Sequence, residues 1–265
     1  MSDFPYPGLR PFGRNESELF FGRDEHVDRL LETLEKRRFV AVFGPSGFGK
    51  SSLVRAGLLP ALETGLSAAG SRWHIVEMRP GNRPFVRLAE ALAWSLVSQD
   101  SSHPLASLPS QDAAFHLLAI LKRGPLGLKE VLDENPLPRR TNLLLLVDQF
   151  EEIFRYHQEG DPEQSAAFVS LLLESTRQKK QPIYVILTMR SDFLGDCTTF
   201  LDLPEAINEG QFLTPRLNRK QLLEAIKSPP GLFNGRVESA LATRLLNDAD
   251  THPDQLPLVQ HVLMR

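Results

Sequence analysis

The sequence is poor in cysteine and carries no excess of charge of either sign. Cys197 is the one cysteine among 265 residues. No disulfide can form within the chain, as expected for a protein of the reducing cytoplasm. There are 30 Lys and Arg residues against 33 Asp and Glu residues, a net charge of -3. This balance gives no general basic field, so nucleic acid and anionic membranes are not the expected partners.

Long hydrophobic runs are also missing. The longest, such as residues 143–147, are far shorter than the ~20 apolar residues that span a bilayer. Met1 is followed by polar and proline-rich residues rather than by a secretory signal. No membrane partner is therefore expected. Hydrophobic residues make up 42% of the chain, which is enough to form the core of one large α/β domain, with or without a small appendage.

A glycine-rich stretch at residues 44–52 carries the strongest functional signal. It reads GPSGFGKSS and fits the pattern G-x-x-x-x-G-K-[ST]. An apolar run at 39–43 predicts a strand before it, and apolar residues at helical spacing follow it. Glycines let backbone N–H groups converge on phosphates, and the N-terminus of a helix adds further amides. We predict a nucleotide-phosphate site formed by Pro45, Ser46, Gly47, Phe48, Gly49, Lys50, Ser51 and Ser52.

A second apolar run provides a partner for this loop. Residues 143–147 predict a strand buried on both faces of a parallel sheet, and Asp148 follows at its carboxyl end, where nucleotides bind in such sheets. We expect Lys50 to reach the β- and γ-phosphates of ATP, and Ser51 and Asp148 to hold Mg²⁺. The predicted cofactors are therefore ATP or ADP and Mg²⁺.

Acidic residues that follow Asp148 are candidates for activating water. Many ATPases of the phosphate-loop class with an added sheet strand carry a water-polarising glutamate directly after the metal aspartate, where this chain has Gln149. Glu151 or Glu152 could serve instead. Alternatively, both acids only complement the dipole of the helix that follows. A strand predicted at 183–190 ends in Arg190, which either contacts the γ-phosphate or is a surface charge.

These patterns predict an α/β fold of the P-loop NTPase class, ASCE and AAA+-like, with a three-layer core around a parallel sheet. We expect an extended N-terminal segment at 1–22, the NTPase core at 23–215 and the start of a small helical domain at 216–265. Prolines predict that the first twenty residues are extended. The seven histidines lack metal-ligand spacing, so a zinc site is not expected. Gly22 and Arg23 lie at the entry of a predicted helix and could contact the base or ribose, but taken alone they are better interpreted as a turn glycine and a solvated charge.

Several motifs together resemble one class of signalling ATPase. They lie at 6–12, 20–24, 44–60, 146–152, 189–194 and 256–261, reading YPGLRPF, FFGRD, GPSGFGKSSLVRAGLLP, LVDQFEE, MRSDFL and LPLVQH. In them the chain resembles the bacterial novel branch of the STAND ATPases over nearly its whole length. The acids at three and four residues after the aspartate also resemble those of NACHT domains.

This resemblance implies roles that the residues alone leave open. Gly22 and Arg23 are implied to touch the adenine side, Arg190 to be a γ-phosphate sensor, and Pro257 to pack on the base in the ADP-bound state. It also favours Glu151 or Glu152 over Gln149 as the hydrolytic residue.

The resemblance further implies a molecular switch. ADP is expected to keep the molecule closed, and ATP exchange to favour self-association in signalling or antiphage defence. Family members continue into a winged helix and a repeat-built sensor, so we expect this chain to be the N-terminal part of a longer protein. Two alternative hypotheses for the function are a small-molecule P-loop kinase and a nucleotide-binding scaffold without turnover.

Overall fold

The computed structural model describes residues 4–65, 72–99, 104–179, 182–251 and 256–264. Five strands in these residues form one sheet in the order β2-β3-β4-β1-β5. The strands are β1 (Phe39–Gly44), β2 (Arg72–Met78), β3 (Thr141–Val147), β4 (Ile183–Arg190) and β5 (Gln211–Leu213).

Helices account for most of the remaining described chain. They are α1 (Asp24–Lys36), α2 (Lys50–Ser52), α3 (Leu59–Glu63), α4 (Pro84–Gln99), α5 (Ser110–Leu121), α6 (Gly127–Glu134), α7 (Glu152–Glu159), α8 (Pro162–Thr176), α9 (Leu203–Glu209), α10 (Arg219–Lys227), α11 (Ser239–Thr251) and α12 (Leu256–Met264). A π-helical stretch, Leu53–Leu58, joins α2 to α3.

The sheet confirms the predicted parallel α/β fold. Strand β3 pairs in parallel with β2 and with β4. Its residues are buried from position 142 to 147, as expected for an apolar strand covered on both faces. Strand β4 begins and ends where its apolar pattern predicts, at Ile183 and Arg190. The short strand β5 is a finding of the structure, because three residues give no periodic signal.

The chain divides into two compact units. The sheet unit contains Thr33–Val42 and Ala69–Phe212, and the loop unit contains Met1–Glu32, Phe43–Ala68 and Leu213–Arg265. In the sheet unit, the ring of Phe168 meets that of Phe85 edge to face at 5.5 Å. The division into domains at 1–22, 23–215 and 216–265 stays a prediction.

The C-terminal helices of the loop unit share an apolar cluster. It consists of Leu222, Ile226, Ala242, Leu245, Leu246 and Val259. Helix α10 is capped at its start: the Asn218 side chain accepts from the Gln221 N–H at 2.9 Å, and the Gln221 side chain accepts from the Asn218 N–H at 3.0 Å. This reciprocal arrangement satisfies two amides at the helix entrance.

The N-terminal segment is only partly extended, so our prediction for residues 1–20 is wrong at Arg14–Leu19. These residues form a 3₁₀ helix. The Gly13 N–H donates to Glu16 Oε2 at 2.7 Å, and the Glu16 N–H donates to the Gly13 carbonyl at 3.1 Å. The last proline before this helix is Pro11. Each residue of the helix therefore has the backbone N–H that a 3₁₀ helix needs.

The extended part of this segment is fastened to the C-terminal helices of the loop unit. The buried Tyr6 hydroxyl donates to the Ile226 carbonyl at 2.5 Å. Ile226 lies in the last turn of α10, where carbonyls have no partner within the helix. Two residues later, a Cβ added to Gly8 would lie 2.9 Å from the Met264 sulfur of α12. The segment therefore lies in close contact with both helices.

A Tyr6→Phe variant is expected to be less stable by about 1–3 kcal/mol, because it leaves the Ile226 carbonyl without its partner. Urea unfolding measures this loss. The matched control is Tyr156→Phe in α7, since the Tyr156 hydroxyl makes no hydrogen bond to any other described residue. Equal stability of the two variants would contradict the role given to Tyr6.

Candidate functional site

The glycine-rich loop follows β1 at Gly44 and leads directly into α2. Gly47 and Gly49 have φ angles of 78° and 82°, a conformation that residues with a Cβ rarely adopt. Helix α2 begins at Lys50, so its first amides lie at the end of the loop. Positive-φ glycines followed by a helix N-terminus form a cradle of N–H donors that suits phosphate oxygens.

Lys50 is held over this loop. Its ammonium donates to the Gly44 carbonyl at 2.9 Å and to the Pro45 carbonyl at 2.8 Å. The side chain is half-buried. A cation in this position adds charge to the amide cradle, so the donor set fits a polyphosphate.

The two serines after Lys50 differ in their surroundings. Ser51 lies half-buried in the first turn of α2, whereas Ser52 is buried. The Ser52 hydroxyl accepts from the Phe12 N–H at 3.1 Å. Ser52 therefore joins the loop helix to the N-terminal segment, and its contact with nucleotide stays a prediction, as does magnesium binding by Ser51.

Arg23 is buried, whereas its sequence context alone predicts a solvated charge. Its side chain is 3% exposed. Nη2 donates to the Phe48 carbonyl at 2.8 Å and Nη1 to the Pro215 carbonyl at 2.6 Å. The guanidinium thus joins the glycine-rich loop to Pro215, near the start of the C-terminal part of the loop unit. No hydrophobic pattern in the sequence marks an arginine for burial, so this contact was missed.

Gly22 supports the position of Arg23. Its φ is 80°, and an added Cβ would lie 2.3 Å from the Gln221 carbonyl oxygen of α10. The interpretation of Gly22 as a turn residue is consistent with this conformation. The close approach of α10 is a second reason for glycine that the sequence did not reveal.

A Gly22→Ala variant is expected to lose at least about 2 kcal/mol of stability, because it adds left-handed strain to a clash with a helix backbone. Chemical denaturation checks this value. Gly231→Ala is the control, since nothing lies within 4 Å of a Cβ added at Gly231. The explanation would be contradicted if the two substitutions cost the same.

In the sheet unit, Asp148 lies at the carboxyl end of β3 and is fully buried. Its N–H donates to the Met78 carbonyl at 2.9 Å. Oδ1 accepts from the Thr188 hydroxyl at 2.6 Å, and Oδ2 lies 3.4 Å from Nη2 of Arg79. These contacts fix the orientation of the carboxylate, a hard oxygen donor of the kind that Mg²⁺ prefers.

Thr188 is a positioning residue that sequence reasoning missed. Its hydroxyl donates to Asp148 and accepts from the Gln149 N–H at 3.0 Å. Thr188 is the one polar residue in the apolar stretch 185–189 of β4. A polar residue in an apolar strand is the sequence signal from which its role could have been predicted. Because β4 pairs with β3, a polar residue near the end of β4 lies beside the residue that follows β3.

The acids after Asp148 occupy the start of α7. Glu151 is the N-cap residue, and Glu152 lies in the first turn. Glu152 Oε2 accepts from the Gly81 N–H at 2.8 Å, so its carboxylate holds the chain that follows β2. Gln149 has a φ of 58°, a strained conformation for a residue with a side chain. The assignment of water activation to Glu151 or Glu152 stays a prediction.

Arg190 lies at the exit of β4 with a partly exposed side chain. It pairs with Asp192 and lies over the ring of Phe193, 5.7 Å from its centroid. Pro257 is half-buried in the first turn of α12. The sensor role of Arg190 and the base contact of Pro257 stay predictions.

Other features add no further site. The described residues contain no group of three or more His, Cys, Asp and Glu side chains arranged to hold a metal ion. His103 and His252 lie outside the described residues. Within the described part of the chain, no helix has the length and apolar character needed to cross a membrane.

Comparisons with solved structures support the fold. The Aeropyrum pernix ORC2 protein in its ADP form has a TM-score of 0.54 and 12% identity, and the match covers 100% of this chain and 64% of that one. A Walker-type ATPase of Pyrococcus abyssi has a TM-score of 0.54 and 17% identity, and the match covers 96% of this chain and 69% of that one. This chain thus spans less than two thirds of the ORC2 structure. At these identities the likeness shows the fold alone.

A family comparison gives a more specific result. No curated protein matches the chain significantly. The sequence does match the family described as Novel STAND NTPase 1, over residues 5–265. Because this match covers nearly the whole chain, which also has the fold of the P-loop ATPases, the chain belongs to the novel STAND NTPase family.

Proposed function

We propose that the chain is an ATP-dependent molecular switch with slow, Mg²⁺-dependent hydrolysis. The observation that carries the proposal is the phosphate loop itself, with its positive-φ glycines, the Lys50 ammonium and the helix that begins at Lys50. Family membership supports nucleoside triphosphate hydrolysis in general. The Aeropyrum pernix ORC2 structure is described as an ADP form, and we infer the adenine nucleotide for this chain in part from it.

Two sets of residues would serve one nucleotide. The loop amides and Lys50 bind the phosphates, while Ser51 and the buried Asp148 hold Mg²⁺. The strand bounds support this assignment, because the loop directly follows β1 and Asp148 directly follows β3. When bound, Mg²⁺ supplies positive charge that polarises the phosphoryl oxygens. Thr188 keeps the Asp148 carboxylate oriented by its hydrogen bond.

The remaining predicted residues complete the proposed chemistry. Glu151 or Glu152 orients the attacking water, and Arg190 responds to the γ-phosphate. For Arg190 this requires release from Asp192, with which it is paired. Exchange of this partner is the kind of differential contact that a two-state switch needs.

The wider role follows from the switch. We propose that ADP favours a closed state with Pro257 against the base, and that ATP favours self-association in signalling or defence. A sensor and an effector in a longer protein would be the partners. We also propose a cytoplasmic location, supported by the single, buried and unpaired Cys197.

Single-turnover hydrolysis at enzyme in excess over radiolabelled ATP tests the proposed function. We expect ATP to bind and phosphate to be released slowly with Mg²⁺ and not with EDTA. Binding without any release would identify a scaffold without turnover. ADP formation that depends on an added small-molecule acceptor, without free phosphate, would identify a kinase. Either result would contradict the proposal that the chain is a switch ATPase.

A further inference from the structure

Arg23 brings a positive charge into the interior of the loop unit. Burial lowers the pKa of its guanidinium to about 10, so the group is still protonated at neutral pH. Besides the carbonyls of Phe48 and Pro215, Nη1 lies 3.2 Å from Nδ1 of His26. Burial, together with Arg23 and Arg29, lowers the pKa of His26, which keeps the imidazole neutral and able to accept a hydrogen bond.

Among the described residues Arg23 forms no ion pair, and its guanidinium hydrogen bonds go to the Phe48 and Pro215 carbonyls and to the His26 ring. A guanidinium surrounded by neutral acceptors is solvated by hydrogen bonds but is not compensated in charge. Such a group favours a nearby anion. In the loop unit, its hydrogen bond to the Phe48 carbonyl places it next to the glycine-rich loop.

Arg23 also determines the orientation of one peptide group of the loop. Its Nη2 holds the Phe48 carbonyl, and Phe48 lies between the two positive-φ glycines, Gly47 and Gly49. In a trans peptide the carbonyl and the next N–H point in opposite directions. Holding the Phe48 carbonyl therefore turns the Gly49 N–H away from Arg23. The second contact, to the Pro215 carbonyl, keeps the guanidinium in place.

We propose that Arg23 is a positioning residue of the phosphate loop, which orients the Gly49 amide and supports phosphate binding whichever base the nucleotide carries. The proposal deepens the nucleotide-binding function proposed above and rests on it for its ligand. It differs from a contact with adenine, because both hydrogen bonds of Arg23 to carbonyl groups are made within the protein.

Binding of a base-free ligand separates the two roles. We expect Arg23→Met to weaken binding of ATP and of inorganic tripolyphosphate by the same factor, about 10- to 100-fold, because charge-assisted hydrogen bonds are lost. Arg23→Lys retains the charge and should recover part of both affinities. Calorimetric titration measures them. Weaker ATP binding with unchanged tripolyphosphate binding, or no change for either ligand, would overturn the proposal.

A ligand-free measurement makes the result independent of nucleotide binding. Hydrogen exchange of the amides at 46–50 should be about tenfold faster in Arg23→Met than in the wild type. Arg244→Met is the control, because Arg244 is an exposed arginine of α11 in the same unit. Unchanged exchange would overturn the positioning role. Faster exchange in a protein that binds no nucleotide would support that role and reject the proposed function. Arg23→Lys provides the same comparison if Arg23→Met does not fold.

Discussion

A Lys50→Ala variant is expected to bind ATP and ADP at least about 100-fold more weakly than the wild type. The substitution removes the ammonium that donates to the Gly44 and Pro45 carbonyls, and with it a positive charge at the proposed phosphate site. Charged hydrogen bonds of this kind contribute about 1.5–3 kcal/mol each, so the loss of more than one exceeds a factor of 100. Calorimetric titration with each nucleotide checks this value.

Lys129→Ala is the matched control for this experiment. Lys129 lies on α6 and pairs with Asp133 on the same helix, so its removal deletes the same charge away from the loop. The control should bind ATP as the wild type does. If Lys50→Ala also binds with wild-type affinity, the loop is not the phosphate site.

Asp148→Asn is expected to reduce single-turnover hydrolysis roughly 100-fold or more while the protein remains folded. Asparagine has the shape of aspartate, and its carbonyl oxygen can still accept from the Thr188 hydroxyl. What is lost is the negative charge that would hold Mg²⁺, and metal stabilisation of charge in the transition state contributes several kcal/mol. Phosphate release at high enzyme concentration measures the rate.

The control for this variant is Asp133→Asn, at the exposed aspartate of α6. It should hydrolyse ATP at the wild-type rate. Thermal unfolding of both variants separates loss of chemistry from loss of structure. Undiminished hydrolysis in a folded Asp148→Asn variant would assign the metal to other residues.

Much of the sheet could be predicted because buried parallel strands are continuous apolar runs. The runs before Gly44 and Asp148 both become strands, and β4 has the predicted bounds. The loop could be predicted because its glycines are needed for conformation and its lysine for charge. These signals lie within single segments, so they can be recognised without knowledge of the tertiary contacts.

The contacts that orient the site could not be predicted in the same way. The Arg23 guanidinium reaches Phe48 and Pro215, which lie 25 and 192 positions away in the sequence. Thr188 reaches Asp148 across 40 positions. Such pairs depend on tertiary structure, and no periodicity within one segment encodes them. The π-helical stretch after α2 could not be predicted either, because its apolar residues also suit an α-helix.

One measurement tests most directly the central claim that Ser51 and Asp148 hold the same metal ion at the nucleotide phosphates. It is a double-mutant cycle with Ser51→Ala, Asp148→Asn and the double variant. For each protein, the quantity measured is the gain in ATP affinity when Mg²⁺ is present instead of EDTA. If both residues bind one ion, either substitution removes most of that gain and the second adds little. Additive effects, or a full gain in the double variant, would contradict the account.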